Sequence, residues 1–254
     1  FAICAYKNSP FLALSIESVL NQTVKSDVFI STSTPNDHIY GIAKTYGIDV
    51  VVNDQEAGIA GDWNYAYAAT KTDFVTLAHQ DDFYEPTFAE KTLDALARSS
   101  RPIIAFTDYF ELRGEQRVFD SKLLKIKRIM QFPFKLSRNS RFLRNRVFSF
   151  GDPICCPSVT YNRKRFPAIN FMARYKNSMD WEAWSRLAKE PGAFVYIPEP
   201  LLGHRIYEES QTTSVISSGA RYDEDLEILR SYWPEPIARL IMRGYAKSMD
   251  SNRL

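Results

Sequence analysis

Two neighbouring carboxylates, Asp81 and Asp82, follow directly on Phe74 to Ala78, a run that reads as a buried strand, within Leu77-Ala78-His79-Gln80-Asp81-Asp82-Phe83-Tyr84. In an open α/β sheet, ligands sit just beyond the carboxyl ends of the strands, so acids in that position can meet a ligand and a divalent cation. The competing explanation is a strand-to-helix turn in which one acid caps the next helix and the other is solvated. A third acid, Asp180, stands at the start of a helical stretch, Ser178 to Lys189, with Trp181, Trp184, Leu187 and Ala188 facing inward. A carboxylate there can take a proton from a hydroxyl, or it can simply stabilise the helix N-terminus by about 0.5–2 kcal/mol. Farther on, Leu201 to Thr213 is predicted as a polar loop carrying His204, Arg205, Tyr207, Ser210 and Thr212.

The elements that must position these groups alternate regularly. Phe1 to Tyr6 is β-prone; Ser9-Pro10 then opens a helix with Leu12, Ile16, Val19 and Leu20 as its apolar face. Asp27 to Thr32 is a second strand, Asn36 to Tyr46 a helix closed by Gly47, and Ile48 to Val52 a third strand. Gly58 to Thr70 is helical, Phe74 to Ala78 a strand, Pro86 to Arg98 a helix and Ile103 to Thr107 a fifth strand. That order predicts an α/β fold with a Rossmann-like, mostly parallel sheet covered by helices on both faces. From Phe110 to Ser149 the alternation is lost. Beyond it, Gly151 to Tyr161 is a turn and a strand, Ala193 to Ile197 a short strand ended by Pro198-Glu199-Pro200, and Tyr222 to about Met249 helical with a break at Trp233 to Pro236.

Two nucleotide folds are excluded. The first glycine of the chain is Gly41, so the turn after the first strand holds no Gly-x-Gly-x-x-Gly, and no Gly-Lys-Ser/Thr phosphate loop occurs anywhere. An acidic pair after the fourth strand, suited to a metal bridging a diphosphate, remains.

The order of several short motifs resembles the family 2 inverting glycosyltransferases of the GT-A fold, over about residues 1 to 215. Ser15 to Thr23 is similar to the family's first-helix motif, Gly58 with Asn64 to its third-helix signature, and His79-Gln80-Asp81-Asp82 to its Asp-x-Asp-Asp metal motif. Asp180-Trp181-Glu182-Ala183-Trp184-Ser185-Arg186-Leu187 resembles the catalytic-base helix, and Leu202 to Ser210 the Tyr-Arg-x-His-x-x-Ser loop. The resemblance implies transfer of a sugar from a nucleoside-diphosphate sugar, a UDP-sugar first, to a hydroxyl of a glycan or lipid-linked acceptor. It implies Asp180 as general base, a divalent cation (Mn²⁺ or Mg²⁺) on Asp81 and Asp82 with His79 and His204 as further ligands, and donor contacts from Ala5, Tyr6, Asp62, Asn64, Gln80, Asp81 and Arg205. The chain departs from the family pattern in four places, one of them Met179, which stands where a glutamate commonly precedes the base. His79 replaces the first acid of the metal motif, Ser31 to Thr34 stands where an acid often meets the base, and His204 and Tyr207 exchange positions in the late loop. These departures motivate a second reading, a sugar-nucleotide-binding protein without transferase activity.

From Ser121 to Val147 the chain carries nine Lys or Arg and no acid, although the whole is nearly neutral at +2. Phe132, Phe134, Phe142 and Leu143 are interleaved, a mixture suited to an anionic membrane surface; a solvated basic loop is the bland alternative. Nine cations would also attract nucleic acid, but no nucleic-acid module surrounds them, so none is expected as a partner. A third reading follows, a basic membrane-surface interaction module on an α/β scaffold. Cys4, Cys155 and Cys156 have no metal-ligand spacing and fit a reduced, cytosolic protein. No run approaches the roughly 18 apolar residues of a membrane span. Phe1 to Tyr6 lacks signal-peptide zones, which predicts a cytoplasmic protein, peripheral at most, whose chain opens inside a strand. The division expected is a nucleotide-sugar half at 1–110, an acceptor-side half at 111–215 and a C-terminal helical extension at 216–254.

Overall fold

The computed structural model describes residues 1–55, 58–207 and 220–250, with the backbone alone for residue 220 and for 245–250. The first half alternates as its apolar runs dictate: β1 (Ala2–Ala5), α1 (Leu12–Leu20), β2 (Phe29–Thr32), α2 (Asp37–Tyr46), β3 (Asp49–Val52), α3 (Ile59–Ala69) and β4 (Phe74–His79). A two-residue strand β5 (Phe83–Tyr84), α4 (Phe88–Ala97), β6 (Pro102–Arg113) and β7 (Gln116–Val118) follow. Then come α5 (Lys122–Leu136), α6 (Arg141–Phe148), a 3₁₀ turn at Cys156–Ser158, β8 (Val159–Asn162), α7 (Met179–Leu187), β9 (Ala193–Ile206), α8 (Ala220–Arg230) and α9 (Glu235–Asp250).

One sheet joins the strands in the order β3-β2-β1-β4-β8-β6-β9-β5, with β7 on β6. Six strands point one way, and β8, β5 and β7 run against them. The sheet is therefore mostly parallel, as the strand-helix alternation predicts. Alternate residues of a strand face opposite sides. Along β9, Phe194 enters one core with Trp63, Tyr67, Phe106 and Trp184, while Val195 and Ile197 enter the other with Ile3, Leu12, Ile39 and Phe88. Trp181 and Trp184 are both buried in the first core. Cys4, Cys155 and Cys156 are free thiols, the last two buried.

Three expectations are corrected. The basic segment is neither a loop nor irregular: Ser121 and Ser140 cap α5 and α6 by accepting from Leu124 N and Leu143 N. Nine charges obscure the helical period there. β6 runs twelve residues rather than ending at Thr107. β9 runs fourteen, straight through Pro198 and Pro200 into what reads as a polar loop. A proline cannot donate to the ladder, and the register against β6 shifts on either side of Asp108, opposite Pro200, so the strand continues past the prolines. Ser210 and Thr212, expected on that loop, lie outside the described residues.

Candidate active site

Strand register assembles the metal-side half. β5 pairs antiparallel with β9, Phe83 opposite Gly203 and Tyr84 opposite Leu202. Continuing that ladder by one residue brings Asp82 against His204, and by two, Asp81 against Arg205. His204 Nδ1 lies 3.0 Å from Asp82 Oδ1, and the same oxygen accepts from Arg205 N at 3.0 Å. Asp81 Oδ2 accepts from the Tyr207 hydroxyl at 3.0 Å, and the Asp81 carbonyl accepts from Arg205 Nε at 2.9 Å. The Arg205 guanidinium lies 4.2 Å above the Phe11 ring and has no carboxylate partner among the described residues, so its charge remains available to an anion. Gly203 is required by packing: a Cβ there would sit 2.9 Å from Phe110 and Leu112 side-chain atoms.

The second neighbour of β4 is β1, with Cys4 opposite His79. Gln80 thereby falls beside Tyr6, whose ring is 43% exposed at the edge of the site. Ala5 is buried in the core at the end of β1, so its methyl does not line the pocket. Lys7 adopts a left-handed φ of 54° and donates its backbone N–H to Thr34 Oγ1 at 2.6 Å. Next to it an open depression is lined by Lys7, Asn8, Thr34, Pro35 and Asn36.

Asp82 is 1% exposed and holds a charge. Burial alone would raise its carboxyl, but His204, by charge and hydrogen bond, together with His79 and the Arg205 amide, holds it below the usual range. Asp81 moves the other way, desolvated and beside the charge of Asp82. His204 is raised: desolvation opposes the shift, and the pairing with Asp82 outweighs it.

A cation fits this group. One ligand atom each from His79, Asp81 and Asp82 lies within 4.8 Å of the others. Asp82 Oδ2 and His79 Nε2 are buried without a hydrogen-bond partner, the condition of atoms awaiting a further ligand. Two carboxylates and an imidazole are a donor set that Mn²⁺ accepts more readily than Mg²⁺. His204 is not in the group and instead orients Asp82, as an outer partner does.

Asp180 opens α7. Its Oδ1 accepts from Trp181 N at 2.8 Å, and desolvation raises its carboxyl against the opposing charges of Arg221 and Lys127. Asp152, 8% exposed, is raised far more, first by burial and then by the charge of Asp180. Two acids thus share one desolvated region, and each carboxyl is raised by burial. Lys127, from the inner side of α5, acts electrostatically on Asp180, Asp152 and His204 together.

The start of α7 is held from outside. Glu224 of α8 accepts from Lys176 N at 2.9 Å, Asn177 N at 2.9 Å and Ser178 N at 3.1 Å. Asp225 accepts from the Ser178 hydroxyl, and Glu227 from Tyr175 OH at 2.8 Å. Ser178 makes no side-chain cap of its own, so α8 supplies the anionic cap.

Two residues expected to contact the donor also make hydrogen bonds within the protein. Asn64 bonds the backbone of Phe171 through both its amide atoms, at 2.9 and 2.8 Å, so it ties α3 to the segment before α7. Asp62 is 9% exposed and accepts from Ser33 Oγ and Asn53 Nδ2, each at 2.8 Å. An acid therefore does reach the end of β2, contributed by α3. Sequence reasoning missed Asp152, Lys127 and Glu224. Gly151-Asp152-Pro153 between apolar runs was a usable signal for the first; nothing local marks the other two.

Residues 1–166 match the family described as Glycosyl transferase family 2, and the chain belongs to that family. A curated relative from Haemophilus influenzae, described as an "uncharacterized glycosyltransferase", is 23% identical over a 233-residue alignment that covers 84% of this chain and 66% of the relative. Among solved structures, S. aureus TarS superposes with a TM-score of 0.62 at 13% identity over 95% of this chain and 41% of TarS. The mannosyltransferase PcManGT of Pyrobaculum calidifontis, solved with GDP-Man and Mn²⁺, gives a TM-score of 0.65 at 12% identity over 96% of this chain and 68% of that one. These likenesses establish a GT-A-like fold. The chain spans less than half the length of TarS.

Proposed function

We propose that the chain transfers a sugar from a nucleoside-diphosphate donor to a hydroxyl acceptor with inversion at the anomeric carbon. The observation that carries this reading is the pairing of two acid sites around Lys127. On one side stand His79, Asp81 and Asp82, with two buried atoms that lack a hydrogen-bond partner; on the other stands the desolvated Asp180, beside Asp152. Asp180 takes the acceptor hydroxyl's proton as the oxygen attacks. The sugar–phosphate bond breaks on the opposite face, and Arg205 meets the departing diphosphate. A divalent cation on Asp81, Asp82 and His79 supplies further charge stabilisation to that leaving group.

Tyr6 and the Asp62–Ser33–Asn53 cluster border the nucleoside. A TarS form solved with UDP-GlcNAc and PcManGT solved with GDP-Man support a sugar-nucleotide donor of this general kind. A UDP-sugar is the first donor to test, and a glycan or lipid-linked hydroxyl the first acceptor. A cytoplasmic setting belongs to the same reading.

Replacing Asp180 by Asn separates transfer from binding. Transfer should fall by about 10²–10⁴-fold while donor affinity stays within a factor of a few. The wild-type rate should decline on the acid side with an apparent pKa above that of an ordinary carboxylate, because burial raises Asp180. Unchanged turnover in Asp180→Asn removes the mechanism and leaves the second reading, a donor-binding protein without transfer.

A further inference from the structure

The helix α5 is oriented against its own polarity. Toward the protein it presents Lys127, whose ammonium lies 5.2 Å from the Tyr109 ring centre, Arg128, 3.3 Å from Asp108, and Gln131, which donates to the Pro153 carbonyl at 2.8 Å. Toward solvent it presents Ile129, Phe132 and Leu136, exposed by 74, 53 and 65%. Their spacing of i, i+3 and i+7 makes them one stripe. Of the helix's apolar side chains, Leu124 and Phe134 are the two that are fully buried. A helix in water ordinarily turns its apolar stripe inward, and here polar tethers to β6 hold it turned out.

The stripe is bordered by cations. Lys122 and Lys125 continue it toward the N-terminus at the same spacing, and Lys135, Arg138 and Arg141 follow near its other end, all exposed. Apart from an exposed contact of Lys125 with Asp120 at 3.4 Å, none of these five has a carboxylate partner among the described residues. On α6, Phe142 is a further exposed ring, 67% accessible. Aliphatic and aromatic tips surrounded by exposed cations match the boundary between acyl chains and anionic headgroups. Two of the three side chains of the stripe, Ile129 and Leu136, are aliphatic and give bases nothing to stack on, which favours lipid over nucleic acid. None of the helices among the described residues is long and apolar enough to cross a membrane, so contact through α5 would be with the surface.

We infer that the outward stripe of α5 is a docking surface for an anionic lipid bilayer, with Ile129, Phe132 and Leu136 entering the interface and the neighbouring cations meeting its headgroups. This inference stands apart from the transfer reaction. It uses no residue of the active site except that Lys127 and Arg128 hold the helix from within.

Co-sedimentation with vesicles tests it. The full chain should bind vesicles rich in phosphatidylglycerol, remain in the supernatant with pure phosphatidylcholine, and dissociate as salt is raised. Ile129→Ser, Phe132→Ser and Leu136→Ser combined should weaken anionic-vesicle binding by at least about tenfold with an unchanged melting temperature, since these side chains are exposed. Lys122→Glu with Lys125→Glu should weaken it comparably. The inference is overturned if the wild type ignores anionic vesicles at low salt, or if the triple variant binds them as tightly as the wild type. It is equally overturned if sedimentation velocity shows a dimer that the triple variant dissolves while vesicles are not bound, or if an RNA oligonucleotide is bound and vesicles are not.

Discussion

Gln80 grips the backbone of Tyr6 from both sides, its Oε1 accepting from Tyr6 N at 2.9 Å and its Nε2 donating to the Tyr6 carbonyl at 3.1 Å. The loop after β1 is thereby fixed to the loop after β4, and the exposed Tyr6 ring is held at the mouth of the site. In Gln80→Leu both bonds are lost. Two such bonds contribute about 1–3 kcal/mol, so the Michaelis constant for the donor should rise about tenfold or more. Steady-state kinetics at saturating acceptor should show kcat little changed; a fall in kcat alone would place Gln80 at the chemical step instead.

Nucleoside-diphosphate binding followed by calorimetry should tighten when Mn²⁺ is added and return to its starting value with chelator. Asp81→Ala combined with Asp82→Ala should abolish the metal response. His204→Ala should weaken it by about 10–100-fold, because His204 orients Asp82 without belonging to the ligand group. Binding indifferent to Mn²⁺ in the wild type would exclude the cation.

Glu224 accepts three backbone N–H groups at the start of the helix that carries Asp180. Glu224→Ala leaves those donors without their partner and should lower stability by about 1–3 kcal/mol. The informative measurement is the kinetic split: kcat should fall with donor KM unchanged, and Glu224→Gln, which retains an acceptor oxygen, should recover part of it. Equal loss of donor affinity would show a general loosening of the fold.

Asp225 is fully buried, and desolvation raises its carboxyl to about 6. A raised folded-state pKa means that the folded protein holds this proton more tightly than the unfolded chain. Its contribution to stability is complete below about pH 4 and is lost as pH rises through about 6. Asp225→Asn should flatten that portion of the stability curve by up to about 3 kcal/mol between pH 4 and 7. Urea denaturation at a series of pH values checks this, and an unchanged slope would mean that the group titrates normally.

Much of the first half was legible because its signals are local. Asn36 before Asp37 and Gly47 after Tyr46 mark α2 at both ends, and strands such as Asp49–Val52 announce themselves by branching at Cβ. Asp81 and Asp82 were legible as a pair through their place after a buried strand. Their partners were harder to find, because the pairing of His204 with Asp82 depends on a two-residue strand too short to show a period. The length of β9 was hidden by two prolines, which mark a stop wherever no register shift absorbs them. α5 was hidden by its reversed polarity: charge on the inner side and Ile129, Phe132 and Leu136 outside look like an unstructured basic tract.

The strand order sets a limit on how such a protein can be divided. β8, drawn from beyond residue 150, lies between β4 and β6, both drawn from the first 113 residues. A fragment ending near residue 110 would expose the facing edges of β4 and β6, rows of unpaired amides and carbonyls that invite aggregation. Residues from beyond 150 thus complete the sheet of the first 113, and exchanging either stretch for that of a relative would disturb the ladder between them. Substitution in the loops at the strand ends and on the outer helices leaves that shared sheet intact.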